Sequence, residues 1–234
     1  MFAPGEIINY IQMCSLELTS LQRGMNYRLP TGRTVVLMSR RPDAPYSDEV
    51  TDEGRTIIYE GHDEPQSERC PVPKIVDQPL YSPGGSLTQN GIFMKAAADF
   101  KSGKRDAEQV HIYEKLKKGI WVYNGTFALV DGTKQAQDNR SVFKFRLEIL
   151  EVAKSPGPQA RVIDEFEHPR MIPSSVKQEV FKRDKGMCVE CGAQDELHFD
   201  HVVPYSKGGS SLLASNIQLL CARHNMSKGA SFKF

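Results

Sequence analysis

Two pairs of metal-binding side chains near the C-terminus limit what this chain can become. Cys188 and Cys191 enclose two residues, as do Cys221 and His224, and 29 residues lie between the pairs. Each pair can place two soft donors on one tetrahedral ion. Together they supply the four protein ligands of a closed structural Zn²⁺ site. The segment between them must therefore leave the metal and return to it. Leu197 and Phe199 alternate with polar residues as a short strand does, and Asp200-His201 follows. A polar, glycine-rich return comes next (Ser206-Lys207-Gly208-Gly209-Ser210), then Asn216 and a second apolar segment at Ile217, Leu219 and Leu220. A helix is expected from Cys221, with Gly229 placed to end it. Strand, strand and helix, stapled by zinc, bring Asp200, His201 and Asn225 to one face.

That ordered set resembles the HNH nuclease family, whose core is the ββα-metal finger, over about residues 173–230. The resemblance makes His201 the family's first His, Asn216 its middle Asn and Asn225 the holder of its last position. Lys228-Gly229 is also family-like. The fourth zinc position is often Cys in the family and is His224 here. His224 can instead be read as a ligand of a catalytic ion. Assigned to zinc, it completes the structural site and leaves Asn225 free.

Hydrolysing a phosphodiester needs a nucleophilic water, a base to deprotonate it and stabilisation of the leaving oxygen. His201 is the side chain here that titrates near neutral pH unaided. Asp200 and Asn225 offer the hard oxygens that Mg²⁺ or Mn²⁺ prefers. The expectation is His201 as base, Asp200 and Asn225 as ligands of the catalytic ion, and Asn216 bracing the loop that carries His201. A zinc module that only binds has no use for an Asp-His pair between its ligands.

Composition narrows the setting. The chain has 234 residues, 39% hydrophobic and 25% charged, with a net charge of +1. These are ordinary values for a globular protein, and the charge does not announce a nucleic-acid binder, so any DNA surface must come from local clustering. No apolar run approaches the ~20 residues of a membrane span, and the N-terminus lacks the basic-then-apolar order of a signal peptide. Three of the five cysteines are assigned to zinc, and nothing pairs Cys14 with Cys70. A reducing cytoplasm is the expected location.

Upstream, Thr34–Met38 is a strand by its β-branched run, and Ile57-Ile58-Tyr59 another. Residues 61–87 are loop-rich and Leu87 to Phe100 is helical in pattern. Val110–Tyr113, Ile120–Tyr123, Thr126–Val130 and Ser141–Leu150 are strand-like, the last a half-buried strand with one wet face. Thr19 to Arg23 is expected as a short helix ended by Gly24. The fold class is α+β: residues 1–152 form a curved sheet or barrel with flanking helices. Residues 153–173, with four prolines, read as a linker, and 174–234 hold the zinc-stapled module. Ser175-Val-Lys-Gln178 has the form of a capping box that starts a helix with Val176, Val180 and Phe181 as its stripe and Gly186 beyond its end.

The segments of residues 3–150 resemble, in order, the SRA (YDG) domain, a reader of modified cytosine. The matching pieces are Arg23-Gly-Met-Asn26, Thr34–Met38, Tyr46-Ser-Asp-Glu-Val50, Ile58-Tyr-Glu-Gly61, Leu87-Thr-Gln-Asn90, Tyr123-Asn-Gly125 and Phe143–Leu147. The signature Tyr-Asp-Gly is Tyr-Asn-Gly here. The resemblance implies a flipped cytosine held between aromatic faces, with Tyr46 and Tyr59 as the stacking pair and Asp48 or Glu49 accepting from the base's amino group. Lys74, Lys101, Lys104, Arg105, Lys117 and Lys118 are candidate phosphate contacts, with surface solvation the expected role for most. A reader fused to an HNH module resembles modification-dependent (type IV) restriction endonucleases. The implied function is hydrolysis of double-stranded DNA carrying 5-methylcytosine or hydroxymethylcytosine, by a homodimer, since one site serves one strand. The alternatives are a non-catalytic reader with a zinc clamp, and an HNH nuclease that recognises a backbone modification or another DNA feature without flipping a base.

Overall fold

The computed structural model describes residues 2–150, 171–204 and 207–228. All but the last three residues of the expected 153–173 linker fall outside it, as do Ser206 and Gly229.

The chain opens with β1 (Ile7–Asn9) and α1 (Tyr10–Glu17), followed by β2 (Met25–Asn26), β3 (Thr34–Met38), β4 (Glu49–Thr51) and β5 (Thr56–Glu60). Helix α2 (Gln89–Lys101) precedes three long strands, β6 (Glu108–Lys117), β7 (Ile120–Gln137) and β8 (Arg140–Ile149). Then come α3 (Ser174–Arg183), β9 (Leu197–His201), β10 (Ile217–Cys221) and α4 (Ala222–Lys228). The first eight strands make one sheet in the order β2-β3-β6-β7-β8-β5-β4, with β1 paired to β7. Only the β3–β6 pairing among these is parallel. A core of Val36, Ile57, Tyr59, Phe93, Ile112, Phe127 and Phe145 lies between this sheet and α2. The period-2 alternation of the strands and the small Ala96-Ala97 face of α2 explain why these elements pack.

Three expectations change. Residues 19–23 carry no helix; the helix is α1, started by a capping box in which the Asn9 side chain accepts from Gln12 N and the Gln12 side chain accepts from Asn9 N. At α3 the opposite holds: the helix begins at Ser174 with Pro173 at its N-cap and no side-chain cap bond, so Ser175 lies inside the first turn.

The expected pair of strands at 120–130 is one continuous strand, β7, broken in register rather than in direction. Ile112 opposes Gly125 and Tyr113 opposes Tyr123, so Asn124 is an extra residue on β7. Gly125 takes φ +100°, a conformation that disfavours a side chain. A second irregularity lies between Lys115 and Lys117 and makes Leu116 the extra residue on β6. Such bulges re-aim side chains, and both of these point at the C-terminal module. Leu116 and Val122 share a core with Ile172, Val176, Val180, Phe199, Ile217 and Leu219.

The N-terminal segment reinforces this junction. Gly5 N donates to Tyr123 O (2.8 Å), Tyr123 N donates to Glu6 O (3.0 Å), and Phe199 N donates to Gly5 O (3.0 Å). One short stretch thus hydrogen-bonds to β7 on one side and β9 on the other, with Glu6 bridged to His198. Gly5 has φ +89°. Met171 sits in the core of the large sheet and its neighbour Ile172 in the junction core.

Candidate metal centre and nuclease site

Strands β9 and β10 pair antiparallel, with Cys221 opposite Leu197 and Ile217 opposite His201. This register sets the metal ligands at one end of the hairpin and Asp200-His201 at the other. The ligand atoms of Cys188, Cys191, Cys221 and His224 all lie within 4.8 Å of one another. Cys191 Sγ and Cys221 Sγ are 3.8 Å apart, and His224 Nδ1 lies 3.3 Å from Cys188 Sγ and 3.4 Å from Cys221 Sγ. A tetrahedral ion with metal–sulfur bonds near 2.3 Å and a metal–nitrogen bond near 2.0 Å requires S···S edges of about 3.8 Å and S···N edges of about 3.5 Å. The cluster has that size, and its soft donors suit zinc. Burial pushes the Cys188 thiol up, but amide hydrogen bonds and the His224 side chain bring it down to about 6, toward the thiolate a metal takes. His224 Nε2 lies 3.7 Å from a carboxylate oxygen of Glu190, which favours Nδ1 as the metal-facing nitrogen.

At the other end of the hairpin, Asp200 Oδ2 accepts from the Lys228 ammonium and from Gln218 Nε2 (3.2 Å). The same ammonium donates to the carbonyl of His201. His201 is half-buried, with Nε2 2.8 Å from Ser211 Oγ. Burial holds its imidazole below the usual value, against the pull of Asp200. Asn216 clasps the chain after His201: its Oδ1 accepts from Val203 N (2.8 Å), and its Nδ2 donates to Val203 O (3.1 Å) and Ser210 O (3.0 Å). Gly209 lies against this clasp, where a Cβ would stand 1.8 Å from Val203 O. Helix α4 packs on β9 and carries a half-buried Asn225. Lys228 of α4 thus ties together the Asp200 carboxylate and the His201 carbonyl, while the side chains of these two consecutive strand residues leave β9 on opposite faces, Asp200 toward Gln218 and His201 toward Ser211.

The residues expected to hold a base are gathered on β4, β5 and the loop before them. Asp48 is buried. Its carboxylate accepts from Glu60 N (3.1 Å) and Ser39 N (3.3 Å), and burial pushes it up to about 7. Glu49 is exposed and opposes Ile58 across the ladder. Tyr59 is only 1% exposed, within the main core. Tyr46 is half-exposed, and His62 stacks on it at 5.8 Å and 24°. His62 Nε2 also lies 3.4 Å from the Tyr59 hydroxyl. Gly24 accommodates this arrangement, since a Cβ there would stand 2.4 Å from the Tyr59 hydroxyl and 2.7 Å from His62 Nε2. Beneath lies a buried ionic network: Glu60 with Arg140 (3.3 Å) and Lys144 (3.0 Å), and Arg140 with Asp63 (2.6 Å).

Sequence reasoning missed His62, Ser211, Gln218 and the buried role of Lys228. Nothing in the spacing marks Ser211. His62 sits three residues after Tyr59, a spacing that carries no signal in a strand-to-loop transition. Of the candidate phosphate contacts, Lys74 is paired with Asp63 and lies over the Tyr46 ring, Lys101 pairs with Asp131, Lys104 with Asp99 and Arg105 with Glu108. Lys117 lies over the Phe181 ring of the C-terminal module.

Residues 188–231 match the family model described as HNH endonuclease. No curated protein matches the chain. Among solved structures, it is similar to the SUVH5 SRA domain in complex with hemi-methylated CG DNA, at 20% identity and a TM-score of 0.42, covering 61% of this chain and 84% of that one. It is also similar to the SUVH5 SRA domain bound to fully hydroxymethylated CG DNA, at 19% identity and 0.42, covering 61% and 85%. A third similar structure is the type IV phosphorothioation-dependent restriction endonuclease ScoMcrA, at 15% identity and 0.43, covering 98% of this chain and 60% of that one.

Proposed function

We propose that this chain is a modification-dependent DNA endonuclease: residues 2–150 read a modified site, and the HNH segment hydrolyses the phosphodiester. The observation that carries the reading is a β-hairpin and helix with a tetrahedrally sized Cys₃His cluster at one end and Asp200-His201, tied to α4 through Lys228, at the other, in the stretch that matches the HNH model. Zn²⁺ on Cys188, Cys191, Cys221 and His224 staples the module. Asp200 and Asn225 would hold Mg²⁺ or Mn²⁺, with the Asp200 carboxylate exchanging its Lys228 partner for the ion, and the ion would supply charge stabilisation at the scissile phosphate. With Nε2 held by Ser211, His201 presents Nδ1 to take the proton of the attacking water. Asn216 keeps the His201 loop closed. One such site cuts one strand, so we propose a homodimer on DNA. On this reading the mark is 5-methylcytosine or hydroxymethylcytosine, flipped into the Tyr46–Asp48–Tyr59 region, with Asp48 rather than exposed Glu49 as the acceptor, in a cytoplasmic setting.

A second reading has its own support. Tyr59 is buried and His62 covers Tyr46, which suits a reader that recognises a backbone modification without flipping a base. The test is digestion of one plasmid in unmodified, 5-methylcytosine, hydroxymethylated and phosphorothioated forms with Mg²⁺ or Mn²⁺. Cleavage of either cytosine-modified form alone upholds the first reading. Cleavage of the phosphorothioated form alone upholds the second, and cleavage of none sinks the nuclease assignment.

A further inference from the structure

The bulge at Asn124 has no part in metal binding or in the proposed base contacts, yet it is one of the most tightly bonded places in the molecule. Asn124 Oδ1 accepts from the Lys177 ammonium at 2.6 Å, and Asn124 Nδ2 donates to Glu114 Oε2 at 2.9 Å. The same ammonium donates to Glu114 Oε2 at 2.6 Å. Lys177 is 1% exposed, Glu114 3% and Asn124 4%. Glu114 and Asn124 belong to the large sheet, and Lys177 to the first helix of the nuclease module.

The trio closes on itself chemically. One ammonium faces one carboxylate, and the amide between them both donates and accepts, so the set is neutral and mutually hydrogen-bonded. An Asp at 124 would leave two carboxylates on one ammonium in a dry setting, which buried charge does not tolerate. The bulge is what delivers Asn124 to this position: in regular register the extra residue would not exist. The arrangement also adjoins the catalytic strand. A cavity at the junction is lined by Gly5, Asn124, Gly125, Lys177, Phe199 and His201. Gly5 accepts the amide of Phe199, two residues before His201.

We propose that Asn124, Glu114 and Lys177 are positioning residues that latch the nuclease module onto the reader, so that the distance from the recognised mark to the cut is set by this contact and not by the connecting chain. The cutting readout rests on the function proposed above; a second readout, amide exchange, does not. The connecting chain, about 20 residues by its sequence span, would as a free tether let the cut wander by roughly 25 Å. The latch confines it.

The experiment uses the full chain and a duplex with one modified site, with product ends mapped by sequencing. Two variants are compared with the parent: one with about ten Gly/Ser residues inserted after Gly157, which lengthens a tether by several ångströms of mean reach, and N124D. The insertion leaves every latch residue intact. Cut positions unchanged by the insertion and spread several-fold wider in N124D support the latch. Positions that shift or broaden with the insertion overturn it. Hydrogen exchange reads the same contact without catalysis: N124D is expected to expose the Phe199 amide at least tenfold while the metal content stays at one ion per chain. An unchanged Phe199 amide also overturns the latch. If the parent cuts no substrate, the function fails while the exchange result still decides the latch.

Discussion

Replacing Lys177 by Met tests the energetics of the junction directly. Met keeps the length of the side chain and removes its charge, which leaves Glu114 buried with Asn124 Nδ2 at 2.9 Å in place of a full counter-charge. Removing one partner of a buried ion pair costs about 3–5 kcal/mol, because the remaining charge has lost its compensation. In a chain of this size each kcal/mol moves the midpoint of thermal unfolding by about 2–4 °C, so the expected loss is about 6–20 °C. The pH dependence has a definite sign. In the parent, burial pushes the Glu114 carboxyl up but Lys177 outweighs it and holds it below the usual range. That stabilisation is present above the unfolded value and is lost as pH falls through the folded one. In the variant burial dominates and Glu114 is raised, so the folded state takes up a proton and the deficit against the parent shrinks as pH falls from 8 to 5. Scanning calorimetry at both pH values measures this. The double variant with Glu114→Gln removes both charges and is expected to recover at least half of the loss. A midpoint that drops by less than about 3 °C, or a deficit that widens toward acid, would refute the buried-pair argument.

Other perturbations separate the parts of the site. His201→Ala is expected to lower cleavage by about 10²–10⁴-fold with metal content and DNA binding near those of the parent; substantial residual cleavage would remove His201 from the base role. Cys221→Ser should release the structural ion, on which small zinc modules draw on the order of 10 kcal/mol of folding free energy; atomic-absorption analysis still finding one tightly held zinc would contradict the four-ligand site. Gly209→Ala puts a Cβ against Val203 O, and such overpacking costs about 1–3 kcal/mol; cleavage should fall while zinc stays bound, and an unaffected rate would show that the Asn216 clasp is dispensable. Asp48, pushed up from 3.8 to about 7 by burial, takes up a proton on folding, so stability falls as pH rises from 4 to 7, by up to about 4 kcal/mol. Asp48→Asn should flatten that slope in urea titrations, although it loses the acceptor for Ser39 N.

The strands that were legible in the sequence are those in which local chemistry and burial agree. Thr34–Met38 and Thr56–Glu60 are dense in β-branched residues, and the structure keeps β3 and β5 at those places. Leu197 and Phe199 alternate with polar residues and pack into the junction core, although His198 between them is buried as well, and the metal ligands were legible because their two pairs share one spacing. Helix starts were not decided locally. Asn9-x-x-Gln12 and Ser175-x-x-Gln178 carry the same capping pattern, yet only the first caps a helix. At α3 the packing decides: Ser174 is buried at the junction, Lys177 N donates to Pro173 O, and the helix starts two residues earlier than its cap signal places it. The expected base pocket shows the same limit. Tyr59 is on the strand face of Ile57, which is 0% exposed, and is buried with it, a placement that the continuous apolar run Ile57-Ile58-Tyr59 does not resolve, while the covering of Tyr46 by His62 involves a loop whose path no pattern gives.

The junction was the least legible feature, for a physical reason. Lys177 falls inside the apolar stripe of Val176, Val180 and Phe181, and a lysine there reads as a solvated charge at the stripe's margin. It is buried only because a bulge 53 residues earlier brings an amide beside a carboxylate at the matching place. This bulge has the composition of a turn, since Asn-Gly, as at Asn124-Gly125, is the dipeptide that two-residue hairpin turns favour. The residues downstream distinguish a bulge from a turn. Thr126–Val130 keeps the polarity of a strand whose inward residues Phe127 and Leu129 are 0% exposed. A turn would reverse the chain there, whereas β7 runs on to Gln137. Because the bulge, the strap through Gly5 and the shared core of Leu116 and Val122 converge on β9, the position of His201 depends on residues of the large sheet as much as on its own module. A substitution near Asn124 is therefore expected to alter where the chain cuts before it alters whether the metal site forms.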